Sequence, residues 1–496
     1  MDRSRIVRGV RLPTAAVGAA LLLAACSPQS SLTRKRVKSV ERGLMPVVYL
    51  KGLQPEKLPL ARRMAFLKVP AVSIAAIDRD RIEWTRAYGQ KDAKTQAEPA
   101  PDTLFQGGAF SQMMTSAAVL KLAEEGRLDL DAPLGPVLGD DLPPPTSEMP
   151  KPGRTLTFRA LLSHSAGLSD QVFAGYTADE PLPTFEQILQ GEKPANNVPP
   201  WYPPSRPLAA RAQYSESGYV YVQECLSRLT GKPFPVLMNE TVLGPLGLRN
   251  STFDTTLSAD MRARAASGHL RDGQPVMGLW NTYPESAAKG LWTTPSDFAS
   301  FLCDLLRSAK GEAGHLLSPK SARAMLSAQV ENLGFGFIVE GRGDDVLYSL
   351  RARTLGFACM MVLYPAKGQG AVIMTNSDNG SLVIQEILCA LSEAYAWPHF
   401  KPEEKAVLRL ATETYRQYEG RYEVNPNYRL DVTHEDYYLV IRPTGQAATK
   451  FYAEGQTLFF STDPYIRIQF FSDPQGRVDS LVLWQQDFEL QAKKVQ

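Results

Sequence analysis

The sequence predicts an α+β protein: an antiparallel sheet flanked by helices, with a helical subdomain, followed by a small C-terminal antiparallel β-barrel. The first observation behind this is a helix that starts beneath Gly107-Gly108 and stops at Gly126. In it Met113, Ala117 and Leu120, and beside them Met114, Ala118 and Leu122, recur at three- and four-residue steps. Two adjoining stripes are therefore apolar, which places the helix in a domain centre. The second is a set of β-rich runs paired across short turns, far apart in the chain: Pro70–Ile77 with Ile82–Gly89, and Ala358–Tyr364 with Ala371–Thr375. The third is a change beyond residue 401 to short strands at regular spacing, at 418–422, 429–433, 437–441, 457–461, 466–471 and 480–484.

The chain begins with a basic head and an apolar run from Pro13 to Ala25, too short to span about 30 Å of hydrocarbon, so residues 1–25 read as a signal peptide. Leu23-Ala24-Ala25-Cys26 resembles a bacterial lipobox, which implies cleavage before Cys26 and acylation of that cysteine. Ser27, where an aspartate would signal inner-membrane retention, implies the outer membrane. The expected location is the cell envelope, lipid-anchored on the periplasmic face. Residues 26–60 begin polar and basic (Arg34, Lys35, Arg36, Lys38, Arg42) and read as a tether in reach of anionic lipid heads. Two further domains are expected, over residues 61–398 and 399–496.

The formal charge of +2 falls to −1 without the first 25 residues, which leaves no electrostatic footprint for nucleic acid. Cys225, Cys303, Cys359 and Cys389 each lie in an apolar run and read as free, buried thiols. The five histidines are scattered and no CxxC occurs, so neither a metal nor a cofactor is expected.

Taken in order, Pro70–Gly89 is a hairpin around the charged turn Asp78–Arg81. The central helix follows, from Phe105-Gln-Gly-Gly-Ala109-Phe-Ser111-Gln112-Met-Met-Thr-Ser-Ala-Ala to Gly126. This stretch resembles the first motif of the serine β-lactamase and penicillin-binding-protein-like hydrolases, a Ser-x-x-Lys opening a helix of small and apolar residues. There the serine attacks a carbonyl and the lysine, one turn along, takes its proton. The serine position here is Ala109 and the lysine position is Gln112. Ser111 lies roughly 200° round the helix from Ala109, and Lys121 about 18 Å along it, so neither replaces the missing pair.

Leu161-Leu-Ser-His164-Ser165-Ala-Gly167-Leu168 is similar to the family's Leu-Leu-x-His-Thr-Ser-Gly-Leu segment, which shapes the cleft floor, and His164 reads as a packed or capping residue. Residues 170–210, rich in proline and carrying Trp201 and Tyr202, read as a long ordered loop or lid without periodic structure. Tyr214-Ser215-Glu216 resembles the second motif, Tyr-x-Asn or Tyr-Ser-Gly. Its tyrosine, a proton relay in relatives, is kept as Tyr214, while Glu216 brings a carboxylate that would recruit a cation or disfavour anionic ligands. Tyr219, Val222, Leu226 and Leu229 then mark a helix that stops at Gly231.

Val242–Phe253 resembles the family's Pro-Leu-Gly-Met segment and Tyr283–Asp297 its Gly-Leu-x-Thr-x-x-Asp; Ser296 is expected to cap a helix with Phe298, Phe301, Leu302 and Leu305 on one face. Counting back from Gly356-Phe357, the third motif, His-x-Gly or Lys-Thr-Gly, falls on Leu350, Arg351 and Ala352, without the polar clamp. Ile384, Ile387, Leu388, Leu391 and Tyr395 face one helix side before Trp397-Pro398. A charged linker, Lys401–Lys405, leads to a module similar to the lipocalin-like domain of some relatives, read as packed rather than ligand-binding; in relatives it covers the cleft or drives assembly.

The resemblance implies acyl transfer or hydrolysis through an acyl-serine. The loss of serine, lysine and clamp together implies instead a pseudoenzyme, a cell-envelope lipoprotein that binds or scaffolds, with a peptidoglycan-like, ester or carbonyl ligand in the cleft. Two alternatives are an active serine hydrolase with a rearranged centre, using Ser111, Ser163 or Ser165 with Tyr214 or His164, and a structural protein whose C-terminal barrel docks an envelope partner.

Overall fold

The hairpin of β2 (Ala71–Asp78) and β3 (Arg81–Gly89) stands at one side of the central sheet in the computed structural model, which describes residues 30–143, 156–169, 173–199, 213–485 and 488–495. The leader, Cys26, Trp201 and Tyr202 lie outside the described residues. The other sheet strands come from much later in the chain: β4 (Ile338–Glu340), β5 (Leu347–Thr354), β6 (Phe357–Tyr364) and β7 (Gln369–Thr375). Their order is β3-β2-β7-β6-β5-β4, antiparallel throughout.

Strand alternation divides the core cleanly. On one face Ala75, Cys359, Met361, Val372 and Met374 pack against α3 (Phe110–Glu124) and α6 (Pro295–Ala309). On the other, Val72, Ile74, Met360, Val362 and Ile373 pack against α1 (Ser31–Arg42), α2 (Leu60–Leu67) and α7 (Gly380–Tyr395). Both faces are covered, so these strands read as near-continuous apolar runs. The helical subdomain grows around α3 and includes α4 (Ser217–Thr230) and the single turn α5 (Ser286–Lys289). As expected, α3 is buried on all sides, and Phe110 stacks on Phe298 of α6 with ring centroids 4.2 Å apart.

Several expectations are corrected. Residues 30–60 are built into the domain rather than forming a tether. Ser30 caps α1, and Arg36 is buried in ion pairs with Asp78 (3.0 Å) and Glu83 (2.8 Å), facing the hairpin and not a lipid surface. Val37 and Val40 pack with α7. The strand β1 (Val48–Leu50) pairs in parallel with β8 (Glu403–Lys405), so the last three residues of the charged 401–405 stretch are a strand and not a linker. Within 170–210, Phe185–Gln190 is a helix held by a Thr184/Gln187 capping box. Thr294, not Ser296, caps α6, because Pro295 is already its first helical residue. Leu229, expected on the inner face of α4, is exposed.

The C-terminal module is a closed barrel of eight antiparallel strands between Gly420 and Lys494, two more than the sequence suggested: Thr449–Ala453 and Phe488–Lys494. Tyr418 ends the helix α8 (Thr412–Tyr418) instead of starting a strand. Tyr418 packs at 4.4 Å on Phe470, and with Tyr415, Phe459 and Tyr422 it fills the barrel interior with side chains. Arg63 of α2 joins the barrel to the main body, with bidentate contacts to Glu386 of α7 (2.8 and 2.6 Å) and to Asp463 (2.8 and 2.6 Å) in a barrel turn. Among the described residues no helix is long and apolar enough to cross a membrane, and the four cysteines are buried, free thiols.

Candidate functional site

The first turn of α3 is wedged between β5 and the segment leading out of α5. Gly107 N–H donates to Leu291 O at 2.7 Å. Gly108 adopts φ +51, and a Cβ there would stand 3.1 Å from both the backbone N and O of Arg353, so only glycine lets the helix start lie this close to the strand. Ala109 follows, 4% exposed. Ser111, the nearest hydroxyl in sequence, is buried and committed to the backbone: its Oγ donates to Gly108 O at 2.7 Å and accepts from Leu291 N at 3.0 Å. That is the turned-away orientation expected from helix geometry.

Gln112, one turn beyond Ala109, reaches across to the start of α4, where its Nε2 donates to Tyr214 Oη at 2.8 Å. Its Oε1 is buried and has no hydrogen-bond partner among the described residues. The Tyr214 ring leans on His164, with centroids 4.6 Å apart. His164 is packed as expected: its Nδ1 accepts from Ser215 N at 3.1 Å, and full burial pushes its pKa down to about 4. It is neutral at pH 7 and its bonded nitrogen faces backbone. Ser163 and Ser165 bond to each other at 2.9 Å and to the carbonyls of Arg159 and Ala160. Leu350 and Ala352 of β5 face α3 within the same apolar cluster, while the alternation sends Arg351 and Arg353 to the opposite face.

The structure thus brings Ala109, Gln112, Tyr214, Leu350 and Ala352 to one corner, and adds two residues that the sequence reading gave no role. Lys289 of α5 forms a buried ion pair with Glu216, Nζ to Oε2 3.0 Å, and donates to Phe173 O at 3.2 Å. The cation that Glu216 was expected to recruit is therefore internal. Beside this pair lies Glu285, fully buried, with neither carboxyl oxygen hydrogen-bonded among the described residues. Burial raises its pKa to about 7, with the neighbouring Glu216 adding to the rise and its own backbone and Lys289 opposing it. The signal for both was present as Glu285-Ser-Ala-Ala-Lys289: an acid and a base four residues apart, bracketing small residues in an otherwise apolar stretch. Among the described residues no group of three or more His, Cys, Asp or Glu is arranged to hold a metal ion.

Comparison with known proteins gives the family of the chain. The β-lactamase family model matches residues 60–387. Protein Rv1367c of Mycobacterium tuberculosis is 28% identical over 270 residues, covering 50% of this chain and 65% of the relative, so the match spans just under two thirds of that protein. The D-alanyl-D-alanine-carboxypeptidase/endopeptidase AmpH of Escherichia coli is 23% identical over 312 residues, covering 59% of this chain and 76% of AmpH. Among solved structures, the octameric penicillin-binding protein homologue from Pyrococcus abyssi shares the fold at 19% identity and TM-score 0.58, over 87% of this chain and 98% of that one. With a match over most of its length, this chain belongs to the β-lactamase family.

Proposed function

We propose that this chain has left acyl-serine chemistry and acts by binding: a pseudoenzyme of the cell envelope, anchored through lipid on Cys26, that holds a carbonyl-bearing ligand in its cleft. One observation carries the reading. Where the reaction needs a hydroxyl and an amine one helical turn apart, the chain has the methyl of Ala109 and the carboxamide of Gln112, the latter hydrogen-bonded to Tyr214. A carboxamide is not a base at any physiological pH, and a methyl cannot be acylated. The three serines that a rearranged centre would use, Ser111, Ser163 and Ser165, are hydrogen-bonded to backbone carbonyls, and the ammonium of Lys289 is paired with Glu216.

Ligand binding does not need the lost groups. The backbone N–H of Ala109 lies at the start of a 15-residue helix, where a carbonyl oxygen or anion is favoured by the helix dipole. The relative named for D-alanyl-D-alanine carboxypeptidase activity supports a peptide ending in D-amino acids as the ligand class. The C-terminal barrel, whose interior is filled, is suited to docking on an envelope protein and not to enclosing a ligand.

The test is covalent labelling. Fluorescent penicillin and a fluorophosphonate are expected to leave the folded wild-type protein unmarked, while the double variant Ala109→Ser/Gln112→Lys gains penicillin labelling at residue 109. Stoichiometric labelling of any serine in the wild type would overturn the proposal. Palmitate incorporation that disappears in Cys26→Ser tests the anchor.

A further inference from the structure

Helix α1 turns one side to the body of the protein and the other to solvent. Thr33, Arg36, Val37 and Val40 are buried, and the guanidinium of Arg36 is taken up by Asp78 and Glu83. Lys35, Lys38 and Arg42 stand at i, i+3 and i+7, so they form one stripe along the opposite side, and all three are exposed. Among the described residues none of the three is in an ion pair. Arg34, beside them, has a partner of its own and is left out of the stripe. The helix carries a single carboxylate, Glu41, which is half-buried and accepts from Tyr88 Oη at 3.3 Å. At the start of the helix Leu32 is 49% exposed.

A stripe of cations with an exposed leucine at one end fits a surface that is negatively charged outside and apolar just beneath, as the headgroup layer of an anionic bilayer is. Charge complementarity alone would also suit a soluble polyanion, but a polyanion offers nothing to Leu32. The position in the chain points the same way. Ser30 caps this helix, and Cys26, the expected acylation site, precedes it by four residues, so the leucine end is the end that lipid would reach first. An acyl anchor and a basic patch are the two signals that together hold a protein stably on a membrane. We infer that the outer face of α1 docks on anionic phospholipid, with Lys35, Lys38 and Arg42 among the phosphates and Leu32 at the acyl boundary. The inference rests on the lipid-anchored reading above and is independent of what the Ala109 corner binds.

Lysine acetylation of the acylated mature protein is the test, in vesicles of phosphatidylcholine alone and of phosphatidylcholine with phosphatidylglycerol. Lys35 and Lys38 are expected to react about fivefold more slowly on the anionic vesicles, the ratio for one cation held at such a surface, and to regain the faster rate at high salt. Lys320, exposed on the α3 side of the sheet, should react equally on both. A second readout serves the variants that lack these lysines. Because Cys225, Cys303, Cys359 and Cys389 are buried, Leu32→Cys supplies an exposed thiol for an environment-sensitive dye. The dye should brighten on anionic vesicles and not on phosphatidylcholine, and Lys35→Glu/Lys38→Glu/Arg42→Glu should abolish the brightening in a sample whose circular dichroism matches wild type. Protein that associates with neither vesicle overturns the anchored reading and this inference with it. Protein that associates with both, but with equal lysine rates on the two or with brightening indifferent to the triple variant, overturns this inference alone.

Discussion

Two neighbouring regions around the first turn of α3 differ in charge. At the first turn of α3, Gln112 donates from its carboxamide to Tyr214 Oη. One layer away, Glu216, Lys289 and Glu285 keep three ionisable groups almost wholly out of water. Burying such groups is costly unless they are paired, so the second region holds its shape only while its cation stays in place. The first can change with little effect on the fold. The contrast teaches that the uncharged first turn of α3 stands beside a layer held by charge, supplied from α5 and not from α3.

The largest expected effect comes from breaking the charged side. Lys289→Met removes the buried ion pair of Glu216 beside Glu285 and should destabilise the protein by about 3–5 kcal/mol in urea denaturation. Adding Glu216→Gln should recover much of that loss. A Lys289→Met protein within 1 kcal/mol of wild type would show the ion pair to be ornamental.

Next in size are two titrations that oppose each other. His164 has its folded pKa lowered to about 4 against 6.5 unfolded, so its contribution to stability is complete above pH 6.5 and is lost as pH falls towards 4. Glu285 has its folded pKa raised to about 7 against 4.5, so its contribution is complete below pH 4.5 and is lost as pH rises towards 7. Each is on the order of 3 kcal/mol, and between pH 4.5 and 6.5 they largely cancel. Single variants should therefore expose a slope that the wild type hides: stability rising with pH across this window in Glu285→Gln, and falling in His164→Gln. Parallel pH profiles for both variants would refute the assignment.

The smallest effect is expected on the neutral side. Gln112→Met removes one hydrogen bond but also a buried oxygen that has no partner among the described residues, and should change stability by no more than about 1 kcal/mol. A loss comparable to that of Lys289→Met would erase the distinction between the two regions.

Where structure follows from local pattern, the sequence was a sufficient guide. The stripes of α3, the Ile384–Tyr395 face of α7 and the Pro70–Gly89 hairpin all appear where periodicity and turn chemistry put them. What escaped depends on partners distant in the chain. The helix α1 looks too basic to fold down because the acids that neutralise Arg36, Asp78 and Glu83, lie on another element. β8 reads as a charged spacer because its partner is β1, at the other end of the protein. At the site, the contact of Gln112 with Tyr214, 102 residues on, and the meeting of Lys289 with Glu216 arise only when α3 and α5 are laid against the start of α4.

Because α1 is locked to the hairpin from its first turns, only the stretch from Cys26 to Ser30 separates the cysteine from the folded body. Four peptide steps reach about 14 Å at full stretch. An acylated molecule would be moored flush with the headgroups, with little freedom to roll. Which way its cleft opens relative to the bilayer would then be decided by the seating of a single helix.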